Sequence, residues 1–225
     1  MTRLVAALLV TLAGWGWGHG GTLTVGPDRE VYDFVDLRAA VAAARQGDEV
    51  VIAPGRYVLA GTVSFGTSLT LRGAGEVVLE GAGLGSAGLL RVGGGTVRFI
   101  GLTFQVGVGI CAGCHVEVCR CTFRGCKTAV AAASAARVTL HGCQFAANGV
   151  AVAGDHPCQV TGTGNRFVGN GIDLAGDVYP NLRSHLREAA QVTVTYPGGG
   201  YESLQEAVDA LVPGGRLLLA APVAE

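Results

Sequence analysis

Three groups of side chains between residues 111 and 177 are of types that could do chemistry. The first, Cys111-Ala112-Gly113-Cys114-His115, spells C-x-x-C-H, the pattern in which two thiols bond a c-type haem and the histidine ligates its iron. It also reads as a cysteine-bearing turn. The second group pairs Cys119 with His141 and Cys121 with Cys143, each at a spacing of 22 residues. Three thiols and an imidazole on one patch suit a soft transition-metal ion such as zinc or copper(I). One unit earlier the equivalent residues are Ile100 and Leu102, which predicts an inward, apolar column of buried thiols instead. In an oxidising compartment neighbouring cysteines could also pair. With Cys126 and Cys158 the chain has seven, an odd number, and the connectivity does not follow from spacing.

The third group is a pair of similar segments, Ala153-Gly154-Asp155-His156-Pro157 and Ala175-Gly176-Asp177, again 22 residues apart. Carboxylates stacked about 5 Å apart are what a retaining glycosidase needs, with His156 alongside, and they could also hold calcium. The bland reading of A-G-D is a turn in which Asp bonds its own backbone. Other candidates are thinner. Gly93-Gly94-Gly95 and Gly198-Gly199-Gly200 have no Lys-Ser/Thr after them and suit tight turns better than phosphate loops. Arg72, Arg91, Arg98, Arg120, Arg124, Lys127 and Arg137 could meet an acidic glycan or simply keep outer faces solvated.

These residues need a scaffold that returns to the same place about every 20 residues. Phe104, Phe123, Phe145 and Phe167 do so, with gaps of 19, 22 and 22. Seven residues before each lies Val97, Val116, Val138 or Val160, and two further on Phe99, Val118, Leu140 or Gly162. The template extends back to Val77, Leu79 and Leu84, and forward from each Phe to Ile110, Ala129, Val150 and Ile172. Residues two apart on a strand face one way, while Gly142, Gly164, Asn148 and Asn170 mark turns. A unit this short cannot bury its own apolar side, so copies must stack. The expected fold is an all-β solenoid, a single-stranded parallel β-helix filled by columns of Val, Leu, Ile and Phe.

Open sheet edges at each end of a solenoid call for covers. Phe34, Leu37, Val41 and Ala44 fall at helical spacing, with Asp33 available as N-cap and Gly47 as terminator. Leu182, His185, Leu186 and Ala189 suggest another short helix near Asn181. Leu204, Val208, Gly214, Leu217, Leu219 and Ala220 repeat Leu37, Val41, Gly47, Val50, Ile52 and Ala53 at a constant offset of 167, so the chain restarts its opening module. Ser203 and Glu206 form a capping box for the second helix. The expected division is a signal peptide over 1–21, a strand and capping helix over 22–48, coils over 49–180, and a carboxyl-terminal cap over 181–225.

The leader reading rests on Arg3, an apolar run over residues 4–13 and small residues after it, too short for a membrane span. It places the protein outside the cell, in the periplasm or on the surface. The remaining composition narrows the partners. Among 225 residues, 16 Lys and Arg against 17 Asp and Glu leave a net charge of −1, without the basic excess a nucleic-acid partner requires. A 49% hydrophobic content is too high for a disordered chain.

Residues 32–71 resemble the opening of pectin-lyase-like right-handed parallel β-helix proteins. There an amphipathic helix precedes a G-D-x-V-x-x-x-P-G-x-Y strand, matched by Gly47, Asp48, Val50, Pro54, Gly55 and Tyr57. The later V-x-x-x-x-x-x-F units are similar to the coils of that superfamily's carbohydrate-binding and sugar-hydrolase group, and the likeness spans roughly residues 22–174. It implies right-handed coiling and a polysaccharide ligand. The polygalacturonase motifs N-T-D and D-D are absent, the single G-H-G lies at Gly18-His19-Gly20 beside the leader, and the pectate-lyase motifs W-x-D and R-x-P-x-x-R do not occur. The expectation is therefore an exported, non-catalytic module binding polysaccharide or another envelope component. The alternatives are a small lyase or glycosidase using Asp155, Asp177 and His156, and a metal- or haem-bearing accessory protein.

Overall fold

The computed structural model describes residues 20–81, 88–105, 107–155, 157–176, 193–196 and 216–219. From Glu49 to Gly176, strands of three to five residues run through three parallel sheets in strict rotation. The first sheet holds, in spatial order, Thr22–Val25, Glu49–Ile52, Leu69–Gly73, Thr96–Ile100, His115–Cys119, Arg137–His141 and Gln159–Thr163. The second holds Gly55–Leu59, Val77–Gly81, Thr103–Gln105, Thr122–Arg124, Gln144–Ala146 and Arg166–Val168. The third holds Val63–Phe65, Leu90–Val92, Val108–Ala112, Thr128–Ala132, Val150–Gly154 and Ile172–Gly176. Order in space is order in the chain. The molecule is an all-β parallel solenoid.

The apolar columns account for that stacking. Val97, Val116, Val138 and Val160 lie in one row of the first sheet, and Leu71, Phe99, Val118 and Leu140 in the next, all buried. In the second sheet Phe104, Phe123, Phe145 and Phe167 stack nearly parallel, with centroids 4.7, 4.9 and 4.9 Å apart. Two expected rows shift. Val77 and Leu79 belong to the second sheet, where Leu79 pairs with Phe104; the row of Val97 begins instead at Leu69. In the third sheet Ile110 pairs with Val130, not Ala129, and the row continues through Val152 and Leu174. The connection after Phe104 is one residue shorter than the later ones, so counting from the Phe slips the register.

Among the described residues one helix appears, Leu37–Ala43, burying Leu37, Ala40 and Val41 at the amino-terminal end of the core. Its N-cap is Asp36, whose carboxylate accepts from the Arg38 amide at 3.0 Å, and it ends at Ala43. Asp33 does another job. Its carboxylate accepts from both the Thr24 amide and hydroxyl at 2.8 Å, while the Phe34 amide and carbonyl bond Thr24 and Gly26. This closes the outer edge of the first strand, which would otherwise template association. Gly47, with φ of +88°, serves the turn after the helix rather than its cap.

Near the carboxyl end, Thr193–Tyr196 pairs in parallel with Arg216–Leu219 as Thr22–Val25 pairs with Glu49–Ile52, through a connection of 19 residues in place of 23. Residues 1–19 of the expected leader, both expected carboxyl-terminal helices and their capping box fall outside the described residues. No described helix is long and apolar enough to cross a membrane.

Candidate functional site

Each strand of the third sheet turns apolar residues inward at alternate positions, so the residue between them must face out. In register, the outward row reads Ser64, Arg91, Cys111, Ala131, Ala153 and Ala175. Side chains shrink along it from guanidinium to methyl, and a cleft of about 330 Å³ opens over the small ones. Arg91 stands at one end and Asp155 at the other, with Cys111, Ala131 and Ala153 along the floor and the Gly93 and Gly113 corners beside it. Three strand spacings separate the Arg91 and Ala153 rows, about 14 Å. The corner amides of Gly93, Gly113, Ala133 and Asp155 each donate to a carbonyl in the preceding coil at 2.8–2.9 Å, so the corners repeat with the coils.

The Cys111 thiol lies beside Gly88, where an added Cβ would come within 2.7 Å of the sulfur. Burial pushes its pKa up, and the nearby Arg91 guanidinium partly offsets this. Cys114 faces elsewhere: it packs against the core at the corner beyond Gly113. His115 begins the next strand between Thr96 and Arg137, half-buried on the outer side. The residues of the C-x-x-C-H segment thus divide among the cleft, the core margin and the first sheet's outer face.

The second group divides too. Cys119 neighbours His141 in register on the outer face of the first sheet, where His141 Nδ1 lies 3.0 Å from the Thr163 hydroxyl. Cys121 and Cys143, beneath Leu102 in one column, are buried in the core. The expected inward column holds for Leu102 but not for Ile100, which lies on the outer side with Cys119. Among the described residues no group of three His, Cys, Asp or Glu is disposed to hold a metal ion. Burial pushes the Cys143 thiol up to about 11, and Cys121 is raised further by burial and by the neighbouring Cys143.

What these buried thiols do is shown by asparagines one coil on. Asn165 follows Cys121 and Cys143 in the same column; its side chain accepts from the Cys143 amide at 2.9 Å and donates to the Leu140 carbonyl at 2.9 Å. Cys143 donates to the equivalent Val118 carbonyl at 3.3 Å. A second ladder runs Cys126, Asn148, Asn170: Asn148 accepts from the Cys126 amide and donates to the Phe123 carbonyl, and the Cys126 thiol lies 3.7 Å from the Phe104 carbonyl. Asn148 sits at the turn expected from sequence, and at 2% exposure it also braces that corner from within.

Of the third group, Asp155 lies at the cleft's end, while His156 and Asp177 fall outside the described residues. Several of the arginines are committed to partners. Arg72 makes two bonds to Glu49, at 2.7 and 3.3 Å, and Arg98 lies 3.1 Å from Glu117. Arg91, which the sequence left among solvated arginines, is the one that borders the cleft; its signal is the shrinking row beside it. A second cavity, about 270 Å³, lies between the helix and the second sheet beside Val58, but its carboxylate, Asp36, is the helix cap. The chain matches no family model, no curated protein and no solved structure.

Proposed function

We propose that this chain is a non-catalytic, exported β-helical module of the right-handed, pectin-lyase-like kind that binds polysaccharide or another extended envelope polymer along the third-sheet cleft. The observation that carries this reading is the cleft itself, open along the solenoid axis and crossing successive coils. A repeating polymer can lie along a repeating surface with like contacts at each step. The coil spacing of about 4.8 Å is close to the length of one sugar unit, and Arg91 and Asp155 supply a donor and an acceptor for carboxylate or hydroxyl groups. The floor offers no aromatic platform, so recognition rests on shape and hydrogen bonds.

A glycan array, followed by reducing-sugar and unsaturated-product assays on every hit, tests the proposal. The expected result is binding without turnover, abolished in Ala131→Trp, whose indole fills the cleft from its outer face. Turnover that is lost in Asp155→Asn would transfer the site to a lyase or glycosidase, the reading favoured by a carboxylate at the cleft's end. No glycan signal, with stoichiometric metal or a Soret band in the purified protein, would transfer the function to the accessory-protein reading.

A further inference from the structure

Register settles which of the seven cysteines can reach one another, independently of the glycan reading. Residues stacked in neighbouring coils have Cα atoms about 4.8 Å apart, inside the range of about 4.4–6.8 Å that a disulfide spans. Cys111 has Arg91 and Ala131 as its column neighbours, and Cys119 has Ile100 and His141. Cys114 and Cys158 precede His115 and Gln159, so Ala136 stands between them, a full coil from each. Cys126 is followed by Asn148. One pair remains. Cys121 and Cys143 directly precede Thr122 and Gln144, which are paired in register, and the Gln144 amide donates to the Cys121 carbonyl at 2.9 Å. Both side chains point into the core, at 1% exposure each.

We propose that Cys121 and Cys143 are an oxidisable pair whose disulfide staples two successive coils. The Cβ atoms must close by about 1 Å from the strand spacing of about 4.8 Å, because disulfide-linked Cβ atoms average about 3.8 Å. The exchange uses a small-molecule disulfide as oxidant. One protein thiolate attacks a sulfur of oxidised glutathione, forming a mixed disulfide and releasing a glutathione thiolate. The second protein thiolate then attacks the protein sulfur of that mixed disulfide, forms the Cys121–Cys143 bond and releases the second glutathione. Two cysteines are oxidised, one glutathione disulfide is reduced, and the two protein protons end on the two released thiols. In the folded chain burial holds both thiols protonated and out of reach of the oxidant, so the bond forms as the coils assemble, before the core closes.

The test refolds the full chain from denaturant in glutathione buffers of graded redox ratio, then alkylates it in denaturant and maps the peptides. The expected oxidised product carries five alkylated cysteines out of seven and one linked peptide joining Cys121 to Cys143, and it melts higher than the reduced form. Cys143→Ala then shows no loss of alkylation under any buffer; should it fail to fold, Cys121→Ala provides the same control. Seven alkylated cysteines at every ratio that restores the native circular dichroism would overturn the proposal. So would a dominant bond between any other pair. Where the chain does not refold, protein produced in an oxidising compartment is mapped in the same way, and the same two results decide.

Discussion

Arg120 holds φ of 52° at the corner between the first and second sheets. Gly101, Gly142 and Gly164 occupy that corner in neighbouring coils, with φ of 64°, 60° and 66°. The left-handed conformation costs a residue with a Cβ about 1–2 kcal/mol, and glycine's greater freedom in the unfolded chain returns part of that. Arg120→Gly should therefore raise stability by about 0.5–1 kcal/mol, read as an increase in the urea midpoint. The buried thiols make a prediction of opposite sign. Burial raises the Cys143 pKa from its ordinary value near 9 to about 11, so the folded state holds this proton more tightly than the unfolded state does. The contribution is fully present below pH 9 and is lost as pH rises towards 11. Urea midpoints of the reduced protein measured across that window should fall, and in Cys143→Ala, though less stable at neutral pH, they should fall less.

At the scale of elements, the first strand's outer edge depends on the short segment around Asp33 and Phe34. Asp33→Ala removes the carboxylate that holds the Thr24 amide and hydroxyl, leaving that amide unpaired on the edge and loosening the segment that covers it. The variant should aggregate faster on mild heating, followed by light scattering, while Asp36→Ala should instead lower stability by about 1 kcal/mol through loss of the helix cap without that aggregation. The offset of 167 already pointed to this division of labour, since it aligns Ser203, the start of the second capping box, with Asp36 and not with Asp33. The columns of the first and second sheets were readable because period-two apolar pairs recur with a constant return to Phe. In the third sheet the expected row is one position off at Ala129 and two at Val150 and Ile172, because the connection after Phe104 is one residue shorter than the later ones and nearby apolar residues mimic the row. Val77 and Leu79 were placed in the wrong sheet because an apolar residue at every second position serves any inward face equally well. Asn148 and Asn170 look like turn formers in sequence, and only the stack reveals that each braces the coil before it.

For the whole molecule, the cleft is a property of no single residue. Ala131 and Ala153 are unremarkable in sequence, and a site formed by what is small leaves no motif; only Arg91 and Asp155 at its ends carry chemistry of their own. Asp155 was singled out from its spacing, whereas Arg91 and Cys111 acquire a shared setting only when coils at residues 91, 111, 131 and 153 lie side by side. The cleft, the thiol pair and the asparagine ladders all follow from that one stacking. A crystal structure of the full chain tests it most directly. The Cα atoms of Arg91, Cys111, Ala131 and Ala153 should form one row at steps of about 4.8 Å, beside a continuous stack of the four phenylalanines. Finding those four Cα atoms dispersed over different faces, or the rings separated in a two-sheet sandwich, would contradict the stacking and remove the cleft with it.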